Sequence, residues 1–158
     1  MPALRVGFVV APEHLVDAVS EAVRTTTWMA NPMAAEVMTR WIEDGTLDDL
    51  IRWHRAESEA RLAMAAHILE GQTYHATGGT YHIWIPLPPP RAADDVVARA
   101  AGRGLRLISA APFAVGVTPP EALRLCLGSP LRRDDVERGL TVLAGLLDEA
   151  PTPSLGVI

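Results

Sequence analysis

The chain of 158 residues contains no lysine, since all 14 of its basic residues are arginines. Without a lysine amine, the chain itself cannot form a Schiff base or place a P-loop lysine on a phosphate. It has a single cysteine, Cys126, which excludes an internal disulfide and a cysteine cluster for a structural metal, and which suits a reducing cytosol. No run of 18 apolar residues and no signal-peptide pattern is present, so we expect a cytoplasmic protein without membrane contact.

The composition is that of an ordinary soluble globular protein, with 49% hydrophobic and 21% charged residues. The formal net charge is −5. An acidic chain does not neutralise phosphates, which argues against nucleic-acid binding by this segment itself. Its partners are therefore expected to be small molecules or proteins.

The first part of the chain predicts one isolated strand followed by a helix. Residues Val6–Val10 are apolar at every position, as in a strand covered on both faces of a parallel sheet. The remaining strands of such a sheet would lie outside this chain. Pro12 then opens a helix that we expect to fray at Thr25–Thr27.

Two more helices follow in the sequence. Asn31 and Pro32 form a typical N-cap and first-turn pair for a helix that Gly45 ends. Thr46 and Asp49 resemble a capping pair at the start of a helix of about 23 residues, roughly 35 Å long, that ends before Gly71. A helix of that length suits a link between two lobes.

After Gly71 the pattern predicts a small α/β lobe of α+β type. Alternation over Tyr81–Ile85 predicts a strand, with Tyr81, Ile83 and Ile85 on one face and His82 and Trp84 on the other. The remaining predicted elements are a helix over 92–103, strands at Leu105–Ser109 and Ala122–Leu127, and a last helix that buries Val136, Leu140, Leu143 and Leu147. Whether the first two strands run parallel or antiparallel stays open.

The predicted organisation has four parts. Residues 1–45 hold a remnant of a larger domain and a linking helix, 46–70 the long helix, 71–150 the small lobe and 151–158 a flexible tail. The lobe would contain a three- to four-stranded sheet with helices packed on it.

Two arginines are candidates for binding an anion. Arg124 alternates with Leu123 and Leu125, so it shares a strand face with Cys126 and needs an anionic partner there. The pattern alone favours a solvated charge on an antiparallel sheet, and the alternative is a bidentate grip on a ligand carboxylate. Arg5 precedes the first predicted strand, where the pattern alone indicates a solvated charge.

The other polar residues suggest no catalytic or metal site. The five histidines lack metal-ligand spacing, and His82 is interpreted as packing against Trp84. The pairs Asp94–Asp95 and Asp134–Asp135 begin predicted helices, where the helix dipole favours negative charge. Gly78–Gly79 is interpreted as a turn and Cys126 as a small apolar side chain in its strand.

Several segments together resemble one family. Residues 4–12, Leu-Arg-Val-Gly-Phe-Val-Val-Ala-Pro, are similar to the stretch that follows the cofactor lysine in fold-type I, class I/II aminotransferases. In that family a Gly-Leu-Arg-x-Gly turn places its arginine on the phosphate of pyridoxal phosphate, and Ala3 stands here where the family has its first glycine. The resemblance implies that Arg5 is the phosphate ligand and that the lysine would precede Met1.

The later segments extend the resemblance over nearly the whole chain. Trp-Ile-Glu-Asp-Gly-Thr at 41–46 resembles the linking helices, and Gly-Gly-Thr-Tyr-His-Ile-Trp-Ile-Pro at 78–86 the first small-domain strand. Leu-Arg-Leu-Cys-Leu-Gly-Ser-Pro at 123–130 resembles the strand whose arginine binds the substrate's α-carboxylate, which implies that role for Arg124.

Within the family, the segments at 41–46 and 124–130 look most like MocR-type members of the GntR transcription regulators, which join a winged-helix DNA-binding domain to an aminotransferase-like effector domain. The resemblance implies the C-terminal fragment of such an effector domain. It also implies that the parent binds pyridoxal phosphate and an amino-acid-like effector. The cofactor would not be bound covalently by this chain. The parent would contact DNA only through a domain that is absent from this chain. We expect a homo-oligomer that is inactive as a transaminase. The alternatives are part of a genuine aminotransferase and a free-standing interaction domain.

Overall fold

The computed structural model describes residues 5–116 and 118–150, so the predicted tail at 151–158 lies outside the described residues. The chain divides into two compact units, residues 1–53 and 54–158. The helices are α1 (Val16–Thr26), α2 (Pro32–Glu43), α3 (Thr46–Ile68), α4 (Ala93–Gly102) and α5 (Arg133–Asp148). The strands are β1 (His75–Ala76), β2 (His82–Pro86), β3 (Ile108–Ser109) and β4 (Ala122–Cys126), and short 3₁₀ turns lie at Glu13–Leu15 and Ala111–Phe113.

The first unit does not contain the strand predicted at Val6–Val10. Residues 5–12 lie outside any helix or strand, and the side chains of Phe8 and Val10 are 73% and 99% exposed. A strand forms only where a neighbour accepts and donates its backbone hydrogen bonds. The apolar run therefore pairs with no other described segment.

Both helix starts predicted around residue 31 and residue 46 are found. The Asn31 side chain accepts hydrogen bonds from the backbone N–H groups of Met33 and Ala34, at 3.0 and 3.3 Å, which caps α2. At α3 the predicted pairing of Thr46 with Asp49 is wrong, because the N–H of Thr46 donates to the carboxylate of Asp44 at 2.9 Å. That contact lowers the pKa of Asp44.

The second unit is built on a four-stranded sheet in the order β1-β2-β4-β3. Every neighbouring pair is antiparallel. Strands β2 and β3 therefore run in the same direction with β4 between them, which settles the alternative that the sequence left open. The strand predicted at Leu105–Ser109 is shorter than expected, since only Ile108–Ser109 pairs with β4. Strand β1 was not predicted from the sequence.

One face of this sheet and three helices form the core. Ile83 and Ile85 of β2 and Leu123 of β4 are at most 2% exposed. They pack in one cluster with Leu69, just after α3, and with side chains from α3, α4 and α5, among them Ala65, Val96, Ala100, Val136, Leu140, Leu143 and Leu147. Burying a Leu or Ile side chain stabilises a fold by about 1.5–3 kcal/mol, so this cluster holds the helices on one side of the sheet.

Side chains from distant segments cap the helices of the second unit. The carboxylate of Glu121, just before β4, accepts a hydrogen bond from the first N–H of α4 at Ala93, 2.6 Å away. At the end of α5, Arg91 donates to the carbonyls of Leu146 and Glu149 at 3.2 and 2.6 Å. These contacts satisfy helix-end groups that have no partner within the helix.

None of the helices in the described ranges, 5–116 and 118–150, is long and apolar enough to cross a membrane.

Candidate functional site

The site centres on Arg124, at the middle of β4, which is one of the two inner strands of the sheet. Strand register aligns it with Trp84 of β2 on one side and Ile108 of β3 on the other. His75 of β1 lies opposite Trp84, so one row of side chains crosses all four strands. Because Leu123 and Leu125 point into the core, this row lies on the opposite face of the sheet.

Two side chains hold the guanidinium of Arg124. Its Nη2 lies 2.6 Å from Nε2 of His82, and its Cζ lies 4.8 Å from the ring centroid of Phe113. A guanidinium can only donate hydrogen bonds, so Nε2 of His82 accepts the hydrogen bond from Arg124. The ring of Phe113 adds a cation–π contact. The interpretation of His82 as packing against Trp84 is therefore incomplete, since the imidazole contacts the arginine.

The sequence did not single out His82 or Phe113 as partners of Arg124. Alternation places His82 on the outer face of β2, but the contact depends on the β2–β4 register, in which His82 pairs with Cys126. Phe113 is brought in by the 3₁₀ turn at Ala111–Phe113, where the sequence predicts only a loop. A histidine and an arginine on same-face positions of neighbouring strands are the signal that could have indicated the first contact.

Two cavities border both Arg124 and His82. The smaller, about 360 Å³, lies on the β1–β2 side and is lined in addition by His75, Thr77, Thr80 and Trp84. The larger, about 1040 Å³, extends toward the end of α4 and the start of α5. The arginine therefore lies where a ligand in either cavity could reach it.

A buried ion pair fixes the turn that follows β4. Arg61 of α3 is 5% exposed and donates to the carbonyls of Leu127 and Pro130, while its Nε lies 2.7 Å from Glu57. Arg133 of α5 joins Glu57 at 2.6 Å. The pairing with Arg133, and then with Arg61, lowers the pKa of Glu57 to about 2. The strand that carries Arg124 is thus anchored at its carboxyl end.

An aromatic side chain packs beside this anchor. The Tyr81 hydroxyl donates to the carbonyl of His54 at 3.0 Å, and the guanidinium of Arg61 lies 6.0 Å from the Tyr81 ring centroid. A Cβ placed on Gly128 would lie 3.0 Å from Cγ of Tyr81. Glycine at 128 is therefore the residue that lets the turn after β4 approach the ring.

Arg5 belongs to the first unit, whereas Arg124 and its contacts belong to the second. It is exposed and belongs to a segment without helix or strand. An exposed guanidinium can bind a phosphate, but a chain without lysine has no amine for a Schiff base. Arg5 therefore suits a contact with a cofactor phosphate, but this chain lacks the lysine that would complete a pyridoxal phosphate site.

The remaining candidates lie where the sequence placed them. Asp94 and Asp95 are in the first turn of α4, and Asp134 and Asp135 in the first turn of α5. Asp134 is ion-paired with Arg132, and Asp135 with Arg138. Within the described part of the chain, no three His, Cys, Asp or Glu side chains come together as a metal site.

Comparison with curated proteins relates the chain to transcription regulators. It is 28% identical over 149 residues to the uncharacterized HTH-type transcriptional regulator YdeF of Bacillus subtilis, covering 94% of this chain and 32% of that protein. It is 24% identical over 109 residues to the uncharacterized HTH-type regulator YdfD of the same organism, covering 66% and 23%. The chain thus spans about a third or less of these relatives. No family model matches the sequence.

Comparison with solved structures relates the fold to aminotransferases. The kynurenine aminotransferase of Pyrococcus horikoshii, solved with PMP, superposes with a TM-score of 0.80 at 21% identity, over 92% of this chain and 37% of that one. LysN, the α-aminoadipate aminotransferase of Thermus thermophilus, solved with N-(5'-phosphopyridoxyl)-L-leucine, gives a TM-score of 0.72 at 22% identity, over 92% and 38%. At these identities the likeness concerns the fold.

These two comparisons confirm the resemblance found in the sequence and the predicted fold class. The four-stranded sheet with its helices is the fold of part of an aminotransferase. The curated proteins to which the sequence is similar are named as HTH-type transcriptional regulators.

Proposed function

We propose that the chain is the C-terminal fragment of the effector-sensing domain of a pyridoxal-phosphate-dependent regulator of the MocR type within the GntR family. The observation that carries the proposal is the pairing of regulator relatives with an aminotransferase fold. The parent would bind DNA through a helix-turn-helix domain outside this chain and would act in the cytoplasm. Its effector would be an amino compound with a carboxylate.

Arg124 is the residue to which we assign the effector's carboxylate. Its guanidinium lies on the sheet face away from the core, at the border of two cavities. A planar guanidinium binds a carboxylate through two parallel N–H···O bonds, which fixes both orientation and charge. His82 and Phe113 limit the positions open to the guanidinium, and this reduces the entropy lost when a ligand binds.

Arg5 is the residue to which we assign the cofactor phosphate in the parent. The assignment is supported by its place in the segment 4–12 that resembles the aminotransferases and by its exposure. The cofactor would supply the electron sink and the carbonyl for an amino compound, while the lysine that holds it would come from the upstream part of the parent. The 158-residue chain mixed with pyridoxal phosphate and an amino donor should therefore show neither a lysine Schiff-base absorbance nor amino transfer.

Exposed apolar side chains in the first unit support the proposal that the protein is a homo-oligomer. Phe8, Val9 and Val10 are more than 70% exposed in succession, and contiguous apolar surface of this kind associates in water. Light scattering at increasing concentration should show association, and a strictly monomeric chain would contradict this part of the proposal.

A second candidate is a genuine aminotransferase, which the solved neighbours favour because they are enzymes of that class. The intact gene product distinguishes the two. A regulator is expected to bind the DNA preceding its own gene in a gel-shift assay and to show no steady-state amino transfer when loaded with pyridoxal phosphate. Fast turnover without DNA binding would overturn the regulator, and the absence of both activities would favour a free-standing interaction domain.

A further inference from the structure

The contact between His82 and Arg124 requires a neutral imidazole. Nη2 of Arg124 lies 2.6 Å from Nε2 of His82, and two N–H groups cannot face each other at that distance. Burial, and then the positive charge of Arg124, lowers the pKa of His82. In the free protein at neutral pH, His82 therefore accepts one hydrogen bond from the guanidinium.

The described residues around His82 carry mainly positive charge. From β4 it faces Arg124 and Cys126, and β1 contributes the titratable side chain of His75 to the smaller cavity. Among the described residues that line this cavity there is no carboxylate. On the side of the larger cavity the acidic group is Asp135 of α5, already ion-paired with Arg138. The other charged residues lining the larger cavity are Arg103 and Arg106.

We propose that His82 is a second ligand-binding residue of the carboxylate site and that it takes up one proton when a carboxylate binds. The inference rests on the assignment of Arg124 as the carboxylate ligand. Binding breaks the bond from Nη2 of Arg124 to Nε2 of His82. Nε2 then gains a proton from the solvent, and both side chains donate to the oxygens of the same carboxylate. No other bond changes.

The sign of this coupling follows from two opposing effects. Protonating His82 removes the hydrogen bond that holds Arg124 in place, and this opposes binding. A carboxylate between the two cations restores more than that, since an opposite charge within about 4–6 Å shifts a pKa by 1–3 units. The carboxylate therefore raises the pKa of His82, and by reciprocity a protonated His82 binds the carboxylate more tightly.

The test is a titration of the 158-residue chain with acetate, followed by NMR at the ring protons of His82 and at the side-chain N–H groups of Arg124. Acetate should raise the pKa of His82 by about one unit, which corresponds to about tenfold tighter binding to the protonated form. Between about pH 8 and pH 5.5 the affinity for acetate should rise roughly three- to tenfold. Acetamide has the same shape without the charge. It should leave the pKa of His82 unchanged, and its own affinity should not rise between about pH 8 and pH 5.5.

Two variants separate a proton-coupled ligand from a structural residue. His82→Gln keeps a hydrogen-bond acceptor for Arg124 but cannot take up a proton, so its affinity for acetate should not rise as the pH falls. His75→Gln, on the neighbouring strand, should leave the gain intact. In Arg124→Gln, acetate should no longer move the pKa of His82.

The outcomes separate this inference from the proposed function. Acetate that saturates the Arg124 signals while the pKa of His82 stays constant would overturn the proton coupling and leave the carboxylate site standing. A pH-dependent gain that persists in His82→Gln would do the same. If acetate does not perturb Arg124 at all, the carboxylate site itself is wrong and the inference falls with it.

Discussion

The two units of this chain differ in whether they bury their own apolar residues. In the described part of residues 1–53, the only buried residue is Ala34, while twelve large apolar side chains are exposed. In the described part of 54–158, four large apolar side chains are exposed and nineteen hydrophobic residues are buried. Local sequence is enough to make helices in both units, but only the second carries the apolar partners that its helices need.

Helix α3 shows the same contrast along its own length, because it crosses the division at residue 53. Arg52 and Asp49 form an ion pair whose side chains are 70% and 75% exposed. Arg61 and Glu57 form another pair on the next turns, whose side chains are 6% and 12% exposed. Sequence spacing makes the two pairs look alike, and burial makes them energetically different.

The largest expected effect comes from breaking the buried pair. Arg61→Met leaves two loop carbonyls without their arginine donor and leaves Glu57 with Arg133 alone, so it should lower the free energy of unfolding by about 3–5 kcal/mol. Arg52→Met, the matched exposed control, should cost at most about 1 kcal/mol. Urea denaturation of both variants makes the comparison, and equal losses would show that burial does not separate the two pairs.

The second largest loss of stability is expected from truncating a buried side chain of the second unit. Leu143→Ala empties a side chain of α5 that is 0% exposed, and should cost about 2–5 kcal/mol. Val23→Ala removes a 43% exposed side chain of α1 and should change stability by about 0.5 kcal/mol or less. Thermal melts of the two variants test the contrast. A loss at Val23 as large as that at Leu143 would mean that the first unit has a closed core.

Acid should affect the second unit through Glu57. Its folded-state pKa, about 2, is below the ordinary value of 4.5, so the stabilisation is present above pH 4.5 and is lost as the pH falls toward 2. The loss should approach about 3 kcal/mol at most. Glu57→Gln should be less stable at neutral pH and should flatten this part of the profile. An unchanged slope between pH 4.5 and 2 would contradict the assignment.

The smallest effect concerns the first unit. Asn31→Ala removes the cap of α2 and should cost about 0.5–2 kcal/mol of local helix stability, whereas Asn31→Asp should retain it. Because this unit has little core, the loss should appear as faster amide exchange within α2 and hardly at all in the global transition. A full shift of the global melting curve would show that the two units unfold together.

Much of the fold could be predicted from local pattern. The inward face of β2 with Ile83 and Ile85 and the buried side chains of α5 follow from periodicity. The start of α3 at Thr46 and its 23 residues were also predicted, although the capping pair used for the prediction does not form. These features depend on residues a few positions apart. Periodicity therefore records them directly.

What the sequence did not predict depends on contacts between distant segments. The two-residue strand β1 is recognised only through its pairing with β2. The strand expected at Val6–Val10 does not form, because no described segment pairs with it. Arg61 looks like an ordinary helix-surface pair until the turn at Leu127 covers it. Likewise, the contact of His82 with Arg124 needs the register of two strands that lie about 40 residues apart in the chain.

The central claim is that the second unit carries a carboxylate site at Arg124. The most direct measurement is the dissociation constant of acetate for the wild type, for Arg124→Gln and for Arg132→Gln, an exposed arginine paired with Asp134. We expect at least about tenfold weaker binding in Arg124→Gln, or about 1.4 kcal/mol, and no change in Arg132→Gln. Equal affinities in all three proteins would contradict the account.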